Sequence, residues 1–61
     1  MDSKEVFLDM LKEHVANALI LSTNLHTGDP RADRLLNSAC YFLNHASECI
    51  KDADEAYKGV D

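Results

Sequence analysis

Residues 32–56 read ADRLLNSACYFLNHASECIKDADEA, with alanine at 32, 39, 46 and 53 and, three residues after each, Leu35, Phe42, Cys49 and Ala56. A seven-residue spacing of small and then mostly larger apolar residues is the a/d pattern of helices packed side by side. Ala32, Leu35, Ala39, Phe42, Ala46, Cys49 and Ala53 are therefore expected to form the packing face of an antiparallel helix pair or of its dimer. Alanine in one column lets neighbouring axes approach closely, while larger residues fill the layers between them. A third column of Leu36, Leu43, Ile50 and Tyr57 widens the apolar surface, and Tyr57 is expected to close the end of the core.

Upstream of this stretch, Thr27-Gly28-Asp29 breaks the pattern. Glycine suits a left-handed residue at a helix end, aspartate suits the next N-cap, and Pro30 suits the first helical position, where its missing N–H would have had no partner. The expected domain is thus a single all-α hairpin with one helix over about 3–26, a turn at 27–29 and a second helix over about 30–57. Asp2 as N-cap with Glu5 three residues on resembles a capping box. His26 is expected to cap the end of the first helix. Asp54, Glu55 and Asp61 oppose the dipole of the second, whose last turn is expected to fray.

At about 100° per residue the first helix places Phe7, Leu8, Met10, Leu11, His14, Val15, Ala18, Leu19, Leu21, Ser22 and Leu25 within roughly half its circumference. That is too wide a face for one neighbour. A chain of 61 residues also sits where one small core barely balances conformational entropy, and it has only two cysteines and no paired zinc-ligand motif to staple it. The economical solution is a dimer of hairpins closing into a four-helix bundle. In chain length, short turn and small-a, large-d pattern the sequence resembles the Rop family of plasmid proteins, which dimerise as four-helix bundles and bind RNA hairpins. The resemblance implies that architecture. It transfers no functional residue, because the outward positions of the first helix here are Glu5, Asp9, Lys12, Glu13, Asn17, Thr23 and Asn24, a surface that repels phosphate.

The formal charge of −5 and a pI near 4.9 point the same way, toward a protein partner rather than nucleic acid. No run approaches the ~18 apolar residues of a membrane span, and Met1-Asp2-Ser3 lacks the basic region of a secretory signal, so a cytosolic protein with reduced Cys40 and Cys49 is expected. Two rival functions follow from the charges. A Rop-like nucleic-acid binder would need a basic stripe drawn from Lys4, Lys12, Arg31, Arg34, Lys51 and Lys58, and an acidic mimic of DNA would use Asp9, Glu13, Glu48, Asp52 and Glu55. Three His, two Cys and eleven acids give no nucleophile with a base and an orienting group at usable spacing, so neither enzymatic chemistry nor a cofactor is expected. His45 and Cys49 stand four apart on one helical face, but Cys49 falls in an apolar column and no further ligand is near, so no metal is expected either.

Some residues are not explained by packing. Ile20 falls between Asp9 and Glu13 on the polar arc of the first helix, with Val6 near it. Tyr41 stands outward with Arg34 before it and His45 and Glu48 after it, and exposed tyrosine beside arginine is a composition favoured at interfaces. Ile20, Arg34, Tyr41, His45 and Glu48 are accordingly the candidate contacts with another protein. The sequence thus reads as a small acidic, dimeric, non-enzymatic regulator, an adaptor, chaperone-like clamp or inhibitor of the phage or mobile-element kind.

Overall fold

The computed structural model describes residues 3–59, which form two α-helices, α1 (Ser3–Asn24) and α2 (Pro30–Tyr57), packed against each other as a hairpin 45 × 20 × 12 Å in extent. The capping role expected of Asp2 and the dipole effect of Asp61 lie outside the described residues. No helix among those residues is long and apolar enough to cross a membrane.

The first helix stops two residues short of His26, at a last turn whose short polar side chains bond back to carbonyls of the turn before. Ser22 Oγ donates to the Leu19 carbonyl at 2.8 Å, and Thr23 Oγ1 and Asn24 Nδ2 both donate to that of Ile20, at 2.9 and 3.0 Å. Short polar side chains that bond back to the preceding turn compete with helix continuation. These bonds reinforce carbonyls that the helix already engages, and His26 lies two residues past the end of α1.

The connection is built around two aspartates. Asp29 has extended backbone angles and accepts the Arg31 N–H at 3.1 Å, which places Pro30 at the first helical position. Asp33, one turn into α2, reaches back to accept the Thr27 N–H at 2.9 Å and the Thr27 hydroxyl at 2.8 Å, and that same hydroxyl accepts the Asp29 N–H at 3.1 Å. These bonds, the backbone N–H of Thr27 foremost and its hydroxyl next, hold the Asp33 carboxyl below its ordinary pKa. Gly28, between Thr27 and Asp29, has φ of +85°, a conformation that disfavours any residue with a Cβ.

The seam between the helices is a 4-3 repeat on both sides. In α1 the half-buried residues Leu8, Lys12, Val15, Leu19 and Ser22 follow that spacing, and in α2 so do Leu36, Cys40, Leu43, Ser47 and Ile50, continued by buried Asp54. The register therefore differs from the one the alanine heptad suggested. Leu35, Phe42, Cys49 and Ala53 are exposed and each precedes a seam residue by one position, while Ala32, Ala39 and Ala46 are half-buried at the margin. The physical reason is that α1 meets the Leu36-Leu43-Ile50 column, whose branched side chains fill the space between the axes. The alanine column is left at the edge.

Asp54, at 5% exposure, is the only buried polar or charged residue among those described, and no apolar residue among them is buried. Lys12 of α1 donates to its Oδ2 at 3.0 Å, and Lys58, one turn on in α2, sits 3.2 Å from Oδ1 and 3.6 Å from Asp9 Oδ1 of α1. The hydrogen bond from Lys12 outweighs the opposing effect of burial, and with Lys58 it holds the Asp54 carboxyl below its ordinary pKa. The hydrogen bond to Asp54 in turn raises that of Lys58. The end of α2 is helical to Tyr57, closed by the Lys58 N–H on the Asp54 carbonyl and tied to α1 by charge.

Candidate interaction surfaces

The seam divides the hairpin into two unlike sides. The residue before each seam position of α1 is Phe7, Leu11, His14, Ala18 or Leu21, and in α2 it is Leu35, Ala39, Phe42, Ala46, Cys49 or Ala53. The residue after each is Asp9, Glu13, Ala16, Ile20 or Thr23 in α1, and Asn37, Tyr41, Asn44, Glu48, Lys51 or Glu55 in α2. Viewed from one end, two antiparallel helices wind in opposite senses, so both preceding flanks fall on one side of the hairpin and both following flanks on the other. One side is apolar and the other charged.

The charged side carries a shallow groove of about 410 Å³ lined by Asp9, Lys12, Glu13, Ala16, Ser47, Ile50 and Lys51. Its walls come from seam residues and from residues that follow them, in both helices, which confirms the division. Two lysines and two acids share its rim, so it presents no single sign of charge to a ligand.

The proposed contact residues are divided between the two helices. Arg34, Tyr41, His45 and Glu48 lie on one exposed edge of α2, turned away from α1. The Tyr41 ring, 73% exposed, meets the Phe42 ring edge-on with centroids 5.8 Å apart, and His45 Nε2 lies 3.7 Å from Cys49 Sγ. Ile20, 57% exposed, stands on α1 and follows the seam residue Leu19, so it shares the charged side of the hairpin with Tyr41 and Glu48 of α2, and Val6 is also exposed. The hairpin lines up the four α2 residues along one helix and sets Ile20 on the other helix of the same side.

Sequence reasoning missed the ion cluster of Lys12, Asp54, Lys58 and Asp9, whose members are up to 49 residues apart. It also has a bearing on the rival functions. Lys12 and Lys58, needed for a basic stripe, are engaged by Asp54, and Asp9, needed for an acidic one, faces Lys58. Among the described residues no group of three or more His, Cys, Asp or Glu is placed to hold a metal ion, and the His45–Cys49 contact stands without a third ligand.

No family model matches this chain, and neither the curated proteins nor the solved structures contain a significant match to it.

Proposed function

We propose that this chain is a small acidic, non-enzymatic protein-binding regulator that works as a homodimer, two hairpins closing into a four-helix bundle, with the edge of α2 formed by Arg34, Tyr41, His45 and Glu48 as its contact with a second protein in the cytosol. The observation that carries the reading is the state of the apolar side chains. None of the described ones is buried, and Phe7, Leu21, Leu35 and Phe42 are each about two-thirds or more exposed. A hairpin of this length hides too little apolar surface to offset the ordering of its own backbone, so the folded chain calls for cover from another polypeptide.

The edge of α2 supports the second half of the proposal because it supplies an aromatic ring, a guanidinium and a carboxylate at intervals of about two turns along one exposed stripe. Tyrosine offers large area at low entropic cost and arginine offers directed donors, a combination enriched in the energetic centres of interfaces. Tagged protein recovered from the source cell and analysed by mass spectrometry tests it. Tyr41→Ala is expected to leave the helical signal and the dimer mass in place and to abolish recovery of a partner that the unchanged protein captures reproducibly. Undiminished recovery removes this edge from the proposal, and a stably helical single copy at all concentrations removes the dimer.

A further inference from the structure

The geometry points to the apolar side of the hairpin as the surface that a second copy of this chain covers, face against face, leaving the charged side with its groove open to solvent. The inference rests on the homodimer proposed above and adds which of the two sides meets its equivalent.

The argument begins with area. Phe7, Leu11 and Leu21 of α1, Leu25 just past its end, and Leu35 and Phe42 of α2 are 46–71% exposed, and with Met10 beside them each has on the order of 100 Å² open to solvent. Together they offer about 800 Å², the area each partner contributes to a stable interface of standard size. Nothing comparable exists on the other side, where Ile20 is flanked by Asp9, Glu13 and Thr23.

Charge gives the second step. From Phe7 to Leu21 on α1 and from Leu35 to Ala53 on α2, the apolar flank carries no Asp, Glu, Lys or Arg, although 28% of the chain is charged. A symmetric interface sets each surface against itself, so a charge near the axis meets its own kind and one farther out must be desolvated or find a partner. The acids of a chain at −5 are held off this face, which can therefore close on its twin without that cost. The groove side would have to desolvate or pair Asp9, Lys12, Glu13, Glu48, Lys51 and Glu55.

Shape completes the case. Along the flank of α2, Ala39, Ala46 and Ala53 alternate with Leu35, Phe42 and Cys49. This is the alternation of small and large residues that lets one helix seat its large side chains over another's small ones. The heptad read from the sequence thus acquires a role that the seam within one hairpin does not give it.

Sedimentation of the full chain over a wide concentration range, with Leu21→Glu, Leu35→Glu and Ile20→Glu compared with the unchanged protein, tests the inference. The first two are expected to raise the dimer dissociation constant roughly 100-fold or more, since each places two new carboxylates in a desolvated centre, and the third to change it less than about threefold. Because a hairpin without its cover can lose helix, hydroxyl-radical footprinting of the unchanged protein supplies an independent reading. Phe7, Leu21, Leu35 and Phe42 should become protected as the dimer forms, while Ile20 and Tyr41 stay reactive. A dimer in which Ile20 and the groove are protected and the apolar flank stays reactive overturns the face assignment and leaves the homodimer standing. A helical monomer throughout overturns both.

Discussion

Phe42 and Tyr41 are neighbours in sequence, nearly equal in exposed fraction at 67% and 73%, and in ring contact, yet they fall on different sides of the seam. Replacing each in turn by alanine separates the effect of surface area from the effect of face. Full burial of a phenylalanine side chain is worth about 1.5–3 kcal/mol, so covering the exposed two-thirds of Phe42 contributes roughly 1–2 kcal/mol per copy. Twofold symmetry places the residue in the interface twice, which gives about 2–4 kcal/mol and a rise of roughly 30- to 1,000-fold in dimer dissociation constant for Phe42→Ala. Tyr41→Ala removes as much area, but from the edge of α2. It touches the interface only by withdrawing the edge-on support of the Phe42 ring, about 0.5 kcal/mol per copy, and should weaken the dimer about fivefold or less. Sedimentation equilibrium at several loading concentrations measures both constants directly. Equal shifts for the two variants, or a larger one for Tyr41→Ala, would show that the apolar flank is not the covered face.

Four further expectations concern the hairpin itself. Asp54 and Asp33 have folded pKa values below their ordinary 3.8, so the stability each contributes is complete above the unfolded value and is lost as pH falls through the folded one. Helicity by circular dichroism should hold down to about pH 4 and decline below it, and Asp54→Asn should lower the melting temperature at pH 7 and flatten the acid decline. An unchanged acid profile in that variant would remove Asp54 from the account. Lys58 is raised above 10.5, so its contribution is complete below that value and is lost as pH climbs through the folded pKa, and a Lys58→Met chain should lack that alkaline step. Gly28→Ala meets no atom within 4 Å but must adopt φ near +85°, at a cost of about 1–2 kcal/mol, or a melting temperature lower by roughly 4–8 °C per kcal/mol at fixed concentration. Asp29→Ala, which strips the acceptor from the Arg31 N–H, should cost about 1 kcal/mol in chemical denaturation, and no loss there would mean that the Asp33–Thr27 bonds alone start α2.

The two helices were legible because their signals are local. Asp29 and Pro30 mark a helix start by chemistry that depends on adjacent residues only, and the long apolar periodicity of 32–56 leaves no room for a strand. The seam was not legible, because the residues that form it are mixed in character. Lys12, Ser22, Cys40, Ser47 and Asp54 hold seam positions, whereas the more regular columns of alanine and of Leu35, Phe42 and Cys49 do not. A pattern search selects the most apolar stripe, and in this chain that stripe serves a surface the single hairpin leaves open. The ion pair at the end of α2 was not legible for a related reason. Near a helix C-terminus an aspartate is locally unfavourable, and the ammonium that reverses its role at position 54 lies 42 residues away on the other helix.

That most of the seam's charge is concentrated in one pair has a consequence for how the hairpin finds its register. Leucine and valine against leucine and isoleucine is a contact that survives a shift of one helical turn, because one branched aliphatic side chain replaces another at little cost. The Lys12–Asp54 pair does not survive it. A one-turn slide would set Lys12 opposite a different residue and leave the Asp54 carboxylate facing Leu8 or Val15 with Lys58 alone to pair it, and a buried charge that loses its hydrogen-bonded partner is penalised. Asp54 therefore need not add net stability to be required, since its effect is to make the other registers worse. The same register holds the apolar flanks of α1 and α2 level with each other. Replacing Asp54 and Lys12 together by leucine and methionine separates the two roles: the double variant is expected to keep or gain helicity while its dimer population becomes heterogeneous by native mass spectrometry and footprinting. A double variant that forms one well-defined dimer, with the footprint of the unchanged protein, would show that the aliphatic contacts alone choose the register.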